Sequence, residues 1–369
     1  MFIVIIGTKA SGKNEVARYL EQTHGFSRIC LDSGKTEQSA ERSASQPDDH
    51  TTNAVFGSAK EIVDYVTPQW RQNYVTTTVT SIVDLHFLRK RPFVLIVGID
   101  APVVLRYRRY CARARAHDAR LTLEQFVDAD DMLLYACEVP PLLHADSAAD
   151  LDALSTDTQD SRPATALPPI DASELSMRRA LAGAHVSIAN VFPTTVELHQ
   201  HLRHLDLLNT ERIRPSWDTY FMLLSELASH RSNCMKRKVG CILVKDTQII
   251  ATGYNGTPKG ITNCNDGGCP RCNAGTPCGI SLDYCLCIHA EENALLEAGR
   301  GRVRNAEGVV LYCNTCPCLG CAKKIVQVGV KTVVYSKGYG MDDLTLKLFK
   351  EANIVVRQHT PPMISMEIG

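Results

Sequence analysis

Two short segments constrain this chain more than anything else in it: His289-Ala290-Glu291, and further along Pro317-Cys318-Leu319-Gly320-Cys321. Each stands where a helix is predicted to begin after a loop or strand. An imidazole and two thiolates are zinc donors, and a catalytic zinc takes three protein ligands while keeping its fourth position for water. A fold that uses them must lay the starts of two helices side by side. Cys318 and Cys321 lie one turn apart and can point the same way. The dipole and free N–H groups at a helix start favour thiolate over thiol. Bound metal lowers the pKa of water to about 7 from nearly 16. Glu291, two residues past the imidazole, is suited to take that water's proton. A His–Glu pair alone is more often a solvated helix face, and a lone C-x-x-C is often structural or redox. Together, and in this order, they favour a hydrolytic metal site with His289, Cys318 and Cys321 as ligands and Glu291 as acid/base.

The remaining cysteines point the same way. Of 15 in the chain, twelve lie from Cys234 onward. The N-terminal Phe2-Ile3-Val4-Ile5-Ile6 is short, has no basic residue before it and runs into Gly7-Thr8-Lys9, so it reads as a buried strand rather than a signal peptide. No apolar run is long enough to span a bilayer. The expectation is an intracellular protein, cytosolic or nuclear, with no membrane partner. In such a reducing compartment, clustered cysteines more often hold metal than form disulfides. Cys264, Cys269, Cys272, Cys278, Cys285 and Cys287 crowd just before His289, and Cys269-Pro270-Arg271-Cys272 has zinc-hairpin spacing. As free thiols in an exposed loop they would be prone to oxidation. The 40 basic and 40 acidic side chains cancel, and aromatics are 6%. Neither supports the basic track with stacking rings that a polynucleotide binder needs, so no nucleic-acid partner is expected.

At 369 residues the chain is long enough for two domains. Residues 1–210 read as α/β, with strands at 2–6, 93–99 and 186–191 and helices at 14–23, 175–182 and 194–208. Residues 33–53 read as a loop or insertion, and 145–170, rich in Ala, Ser, Thr, Asp and Pro, as a disordered insertion. Arg214-Pro215-Ser216-Trp217 marks a boundary, with Pro near a helix start. Residues 211–369 then alternate: a helix, a hairpin of strands at 239–244 and 248–253, and further strands at 309–313, 332–335 and 354–357. Helices at 290–299, 319–328 and 344–352 separate them. The pattern predicts one sheet covered on both faces.

The run Gly7-Thr8-Lys9-Ala10-Ser11-Gly12-Lys13-Asn14 follows a strand and opens a helix. That is the context of a P-loop, in which backbone N–H groups cradle phosphates and Lys13 neutralises them, so Gly7, Gly12 and Lys13 are candidate phosphate-binding residues. Asn14 stands where a Ser or Thr would bind Mg2+. Gly98-Ile99-Asp100-Ala101-Pro102 with Arg106, Arg108 and Arg109 resembles the late strand and lid of nucleoside-monophosphate kinases. A working kinase and a relic kinase fold kept for regulation or assembly both fit, and the missing hydroxyl favours the relic.

The H-x-E and P-C-x-x-C pair matches the signature of zinc nucleobase deaminases. With it, Arg231-Ser232-Asn233-Cys234, Val239-Gly240-Cys241, Gly253-Tyr254-Asn255-Gly256-Thr257-Pro258 and His289-Ala290-Glu291-Glu292-Asn293-Ala294 resemble the deoxycytidylate (dCMP) deaminases over residues 214–358. The N-terminal extension and cysteine-rich insertion resemble the fungal type. The resemblance implies a cytidine-deaminase-like α/β/α sandwich with one mixed sheet, preceded by a P-loop kinase-like α/β domain. It also implies hydrolysis of dCMP to dUMP and ammonia, feeding thymidylate synthesis, with Glu291 passing the proton to the ring nitrogen and then to ammonia. Activation by dCTP, inhibition by dTTP and a homo-oligomer, commonly a hexamer, belong to the same implication.

By that resemblance Asn255 hydrogen-bonds the substrate, and Gly253, Tyr254 and Gly256 form part of an effector site. Two glycines would let the backbone approach a ligand, although an Asn-Gly turn alone needs no ligand. Backbone groups at Ala290 would read the pyrimidine edge, and Tyr335, at a strand end, would pack on it. A second, structural zinc would use Cys234, Cys264 and Cys287, with a fourth ligand from Cys269, Cys272 or Cys285. Cys272 is the expected fourth ligand, and the surplus leaves room for a third ion. The competing readings are a zinc-stabilised scaffold without catalysis, against which Glu291 speaks, and deaminases of polynucleotides, free cytidine or the riboflavin pathway, against which the Gly-Tyr-Asn-Gly-Thr-Pro segment speaks.

Overall fold

The computed structural model describes residues 1–32, 54–113, 121–135, 176–277, 279–304, 308–338 and 342–362. The expected loop at 33–53, the insertion at 145–170 and Cys278 lie outside the described residues. The chain divides into two compact units, Met1–Ile213 and Arg214–Met363.

The N-terminal unit runs β1 (Phe2–Gly7), α1 (Lys13–His24), β2 (Ser27–Leu31), β3 (Ala54–Phe56), α2 (Ala59–Val66), β4 (Tyr74–Thr76), α3 (Ile82–Arg89) and β5 (Val94–Asp100). It continues with α4 (Val103–Arg113), α5 (Leu123–Tyr135), α6 (Met177–Ala182), β6 (Val186–Ala189) and α7 (Thr195–Leu205). The strands form one sheet in the order β3-β2-β4-β1-β5-β6, and every pairing is parallel. A parallel sheet is covered on both faces, which explains the unbroken apolar run of β1. Phe2, Val4 and Ile6 face a core with Ile62, Val63, Leu85 and Leu88, while Ile3 and Ile5 face one with Val16, Leu20, Leu198 and Leu202. Sequence periodicity missed β2, β3 and β4. They are short, and β2 and β3 are largely half-exposed, so no alternation betrays them.

The C-terminal unit opens with α8 (Trp217–Ser229), where the Ser216 hydroxyl accepts from Thr219 N–H and caps the helix. Then come β7 (Gly240–Lys245), β8 (Gln248–Tyr254), the single turn α9 (Pro270–Asn273), α10 (Ala290–Arg304), β9 (Val310–Thr315), α11 (Leu319–Val328), β10 (Thr332–Lys337), α12 (Asp342–Glu351) and β11 (Val355–Gln358). The sheet order is β11-β10-β9-β7-β8. Strands β9, β10 and β11 are parallel, while β7 is antiparallel to both β8 and β9, so the sheet is mixed. Asp246 and Thr247, with φ of 49° and 62°, make the two-residue turn of the β7–β8 hairpin.

One face of this sheet packs Cys241, Leu243, Leu311, Cys313 and Val333 against Ala290, Ala294, Ala322, Ile325 and Phe349 from α10, α11 and α12. The other packs Ile242, Val244, Tyr312 and Val334 against Phe221 and Met222 of α8. Phe221 and Phe349 are among the largest fully buried side chains, each stabilising by about 1.5–3 kcal/mol. The result is a three-layer α/β/α sandwich. The helix predicted to stop at Gly299 continues past it, with a break where Gly299 takes φ 68° and ψ 148°. No described helix is long and apolar enough to cross a membrane.

Candidate metal centres

The first cluster forms where α10 and α11 begin. Strands β7 and β9 carry the small thiols Cys241 and Cys313 directly opposite each other, both wholly buried, and the two helix starts rest above them. His289 stands just ahead of α10, and its carbonyl accepts from Asn293 N–H at 2.9 Å. Cys318 occupies the N-cap position of α11 and Cys321 its first turn. The His289 Nδ1 lies 3.4 Å from each sulfur, and the three donor atoms lie within 4.8 Å of one another. With Zn–N near 2.0 Å and Zn–S near 2.3 Å, a tetrahedral N···S edge is about 3.6 Å, so the set fits zinc without rearrangement. Burial is graded across it, from exposed His289 through half-buried Cys318 to buried Cys321, which leaves one side open to solvent.

The electrostatics suit a cation. Cys318 is held down at about 3, first by a hydrogen bond from Cys321 and also by His289, against the effect of burial. His289 is raised to about 9 by its hydrogen bond to Cys318, so without metal the pair is imidazolium and thiolate. Glu291, in the first turn of α10, is only 3% exposed. Burial pushes its carboxyl up, opposed by a bond from its own N–H, by His289 and by Cys321. Beside it, Glu292 pairs with Lys324 at 2.6 Å and ties α10 to α11.

The Gly253–Gly256 segment borders this cluster, and its glycines also meet a packing demand. A Cβ on Gly253 would stand 2.2 Å from the Ala290 carbonyl oxygen, and one on Gly256 would stand 2.3 Å from the Asn233 side-chain oxygen. The close approach is to protein, and it seats α10 against β8. Asn255 is likewise engaged: its side-chain oxygen accepts from Val239 N–H and its amide donates to the Arg237 carbonyl, each at 2.8 Å. One lone pair and one N–H remain for a ligand. Gly256 and Ile288 exchange backbone hydrogen bonds of 2.9 and 3.2 Å, so the loop grips the residue before His289. Asn293 adds a bond to the Tyr254 carbonyl at 3.0 Å. Ala290 is fully buried at the helix start. Tyr335 is not at a strand end: β10 runs two residues past it, and it lies opposite Cys313.

The second cluster draws five cysteines from the segment between β8 and α10 and Cys234 from the loop between α8 and β7. Cys234, Cys264, Cys272 and Cys287 bring their sulfurs within 4.8 Å of one another, and so do Cys269, Cys272, Cys285 and Cys287. Without a cation the sulfurs work against each other. Burial, then the neighbouring sulfurs, push Cys272 and Cys287 well up, whereas Cys269, despite burial, is brought to about 6 by hydrogen bonds from Cys272, Leu286 and Cys285. No disulfide joins the described cysteines.

In the N-terminal unit, Gly7 ends β1 and Gly12 caps α1. Lys13 folds back over the loop, donating to the Thr8 carbonyl at 3.0 Å, and burial first, then Arg106, lower its pKa to about 8. Asn14 accepts from the Thr77 hydroxyl at 3.0 Å. Arg106 does not behave as a lid residue. It is 3% exposed and clamped by two 2.6 Å bonds to Asp130.

Residues 215–337 match the family described as the cytidine and deoxycytidylate deaminase zinc-binding region. The deoxycytidylate deaminase of Schizosaccharomyces pombe is 43% identical over 97% of this chain and 97% of its own length. That of Saccharomyces cerevisiae is 42% identical over 81% of this chain and 85% of its own. A cyanophage S-TIM5 dCMP deaminase, solved in complex with dCMP and dUMP, is 32% identical over 40% of this chain and 98% of its own, with a TM-score of 0.31.

Proposed function

The chain belongs to the deoxycytidylate deaminase family and is an enzyme of that activity, and on this premise we propose how its residues divide the work of converting dCMP and water to dUMP and ammonia. His289, Cys318 and Cys321 hold a zinc ion. When bound, that ion supplies the Lewis acidity that makes water a nucleophile at neutral pH. Glu291 carries the protons. Its carboxylate takes one from the attacking water and passes it to the ring nitrogen beside the amino-bearing carbon. It then takes the second from the newly added hydroxyl and gives it to the amino group, which departs as ammonia while the oxygen becomes the carbonyl. Its burial keeps the carboxyl out of bulk water, where proton transfer would have no fixed direction. The observation that carries this reading is the meeting of three donor atoms beside a buried carboxylate, that of Glu291.

Asn255 and the backbone at Ala290 orient the substrate, and Tyr335 lines the base, with Gly253, Tyr254 and Gly256 holding the loop in place. We further propose that dCTP activates and dTTP inhibits through this loop, since its grip on Ile288 adjoins His289. A homo-hexamer is the assembly we expect. Cys234, Cys264, Cys272 and Cys287 hold a structural zinc. In the N-terminal unit, we read Gly7, Gly12 and Lys13 as a phosphate-binding loop of a kinase-like fold. Support comes from topology: the chain passes from β4 on one side of β1 to β5 on the other, and open α/β sheets bind ligands at such switch points, outside the strand carboxyl ends.

Ammonia release from dCMP, CMP, deoxycytidine and a short oligonucleotide tests the substrate. The reading expects dCMP to be turned over fastest, and faster release from the oligonucleotide would overturn it. For the N-terminal unit, nucleoside-triphosphate binding that Lys13→Ala abolishes is expected, and binding indifferent to Lys13 would count against the loop.

A further inference from the structure

We propose that the cysteine-rich segment holds two zinc ions rather than one, in a six-cysteine cluster in which Cys272 and Cys287 bridge both metals. The inference rests on the reading of Cys234, Cys264, Cys272 and Cys287 as a zinc site and extends it. The two groups of four sulfurs share two members, Cys272 and Cys287. A zinc–sulfur bond of about 2.3 Å makes each edge of a tetrahedral site about 3.8 Å long. The observed edges match: Cys234 to Cys272 is 4.0 Å in one group, Cys272 to Cys285 is 3.9 Å and Cys269 to Cys285 is 4.0 Å in the other. The shared edge, Cys272 to Cys287, is 4.0 Å. Two tetrahedra joined on that edge place one ion on each side of it. Bridging by the chain's own thiolates leaves no place for the inorganic sulfide of an iron–sulfur cluster.

Three further observations favour full occupancy. Between Gly260 and Ile288 the only buried residues described are Cys264, Cys269, Arg271 and Cys272, so this segment has no apolar core to hold it. Segments of this size without a core need metal or crosslinks to fold. Next, each group has a non-bridging sulfur that accepts a backbone N–H: Cys264 from Met235 and Cys269 from Leu286, both at 3.4 Å. Such bonds favour thiolate. Finally, the charge closes. Six thiolates and two divalent ions leave −2, the same as four thiolates and one ion, whereas a single ion on the first group would strand Cys269 and Cys285 beside it as an unused pair.

The test uses the full chain as isolated. Metal analysis should give three zinc ions per chain, one at His289 and two here, and Cys269→Ser should give two. Because that substitution could impair folding, the intact chain exchanged into 113Cd provides the independent measurement. Two thiolate-bound cadmium signals split by 113Cd–113Cd coupling are expected, since coupling passes through a shared sulfur. Two zinc ions per chain with no coupling would overturn the paired cluster and leave the single structural zinc standing. One zinc per chain would remove both. Absence of coupling overturns the bridge at any metal count.

Discussion

At the first turns of α10 and α11 three donor atoms meet with one side open to solvent, whereas the segment between β8 and α10, with Cys234 from the loop before β7, gathers six sulfurs in two overlapping groups of four, with almost nothing else in that segment buried. The donors are nearly the same in the two places. What differs is the number of ligands and the company they keep. Three ligands leave a coordination position for a reactant, and a buried carboxylate stands beside it. Four ligands close the shell, and no acid or base is among them. Ligand count and neighbouring groups, more than ligand type, separate a metal that does chemistry from one that holds a loop.

Substitutions should separate the two. Cys318→Ala is expected to reduce dCMP turnover to background and to remove one zinc ion, with the melting temperature of the C-terminal unit almost unchanged. Cys264→Ser should do the reverse. Losing a closed zinc site costs a few kcal/mol, which lowers the midpoint by on the order of 10 °C at this size, while turnover per folded molecule stays within about tenfold. If Cys264→Ser abolished turnover without loss of stability, the division between the two clusters would fail.

The link between them can be probed at Gly253. A Cβ there would meet the Ala290 carbonyl oxygen at 2.2 Å and push α10 away from β8. A displacement of about 1 Å at His289 and Glu291 would lower kcat by on the order of 10²-fold, with zinc retained. A pH series sharpens the open site. In the metal-free chain His289 is raised to about 9 by Cys318, so at lower pH zinc must displace its proton. Cys321 is also pushed up by its hydrogen bond to Cys318 and must lose its proton too, so apparent zinc affinity should fall about a hundredfold for each pH unit below that value. A flat profile from pH 6 to 8 would contradict the ligand assignment. The smallest effect is expected for Lys324→Ala. Its pair with Glu292 is largely solvated, and thermal unfolding should report a loss below about 1 kcal/mol.

Legibility followed the range of the interaction. The meeting of His289, Cys318 and Cys321, with Glu291 two residues past the imidazole, could be read because it depends on spacings of two or three residues at helix starts. The alternation of the C-terminal unit was readable for the same reason. The packing role of the glycines at 253 and 256 was not legible, because nothing local says that Ala290 and Asn233 stand behind them. Cys269 and Cys285 appeared only as alternates for one ligand position, since the sharing of Cys272 and Cys287 arises from how the segment folds back. Arg106 looked like a lid residue until Asp130, 24 positions away, proved to be its partner.

Glu291→Gln provides the most direct test, because it removes the proton carrier and keeps the shape and the ligands. Unchanged zinc content and a fall in dCMP turnover of about 10²–10⁴-fold are expected. Turnover within tenfold of the unsubstituted enzyme, with zinc in place, would show that the carboxylate beside the open site does not carry the reaction.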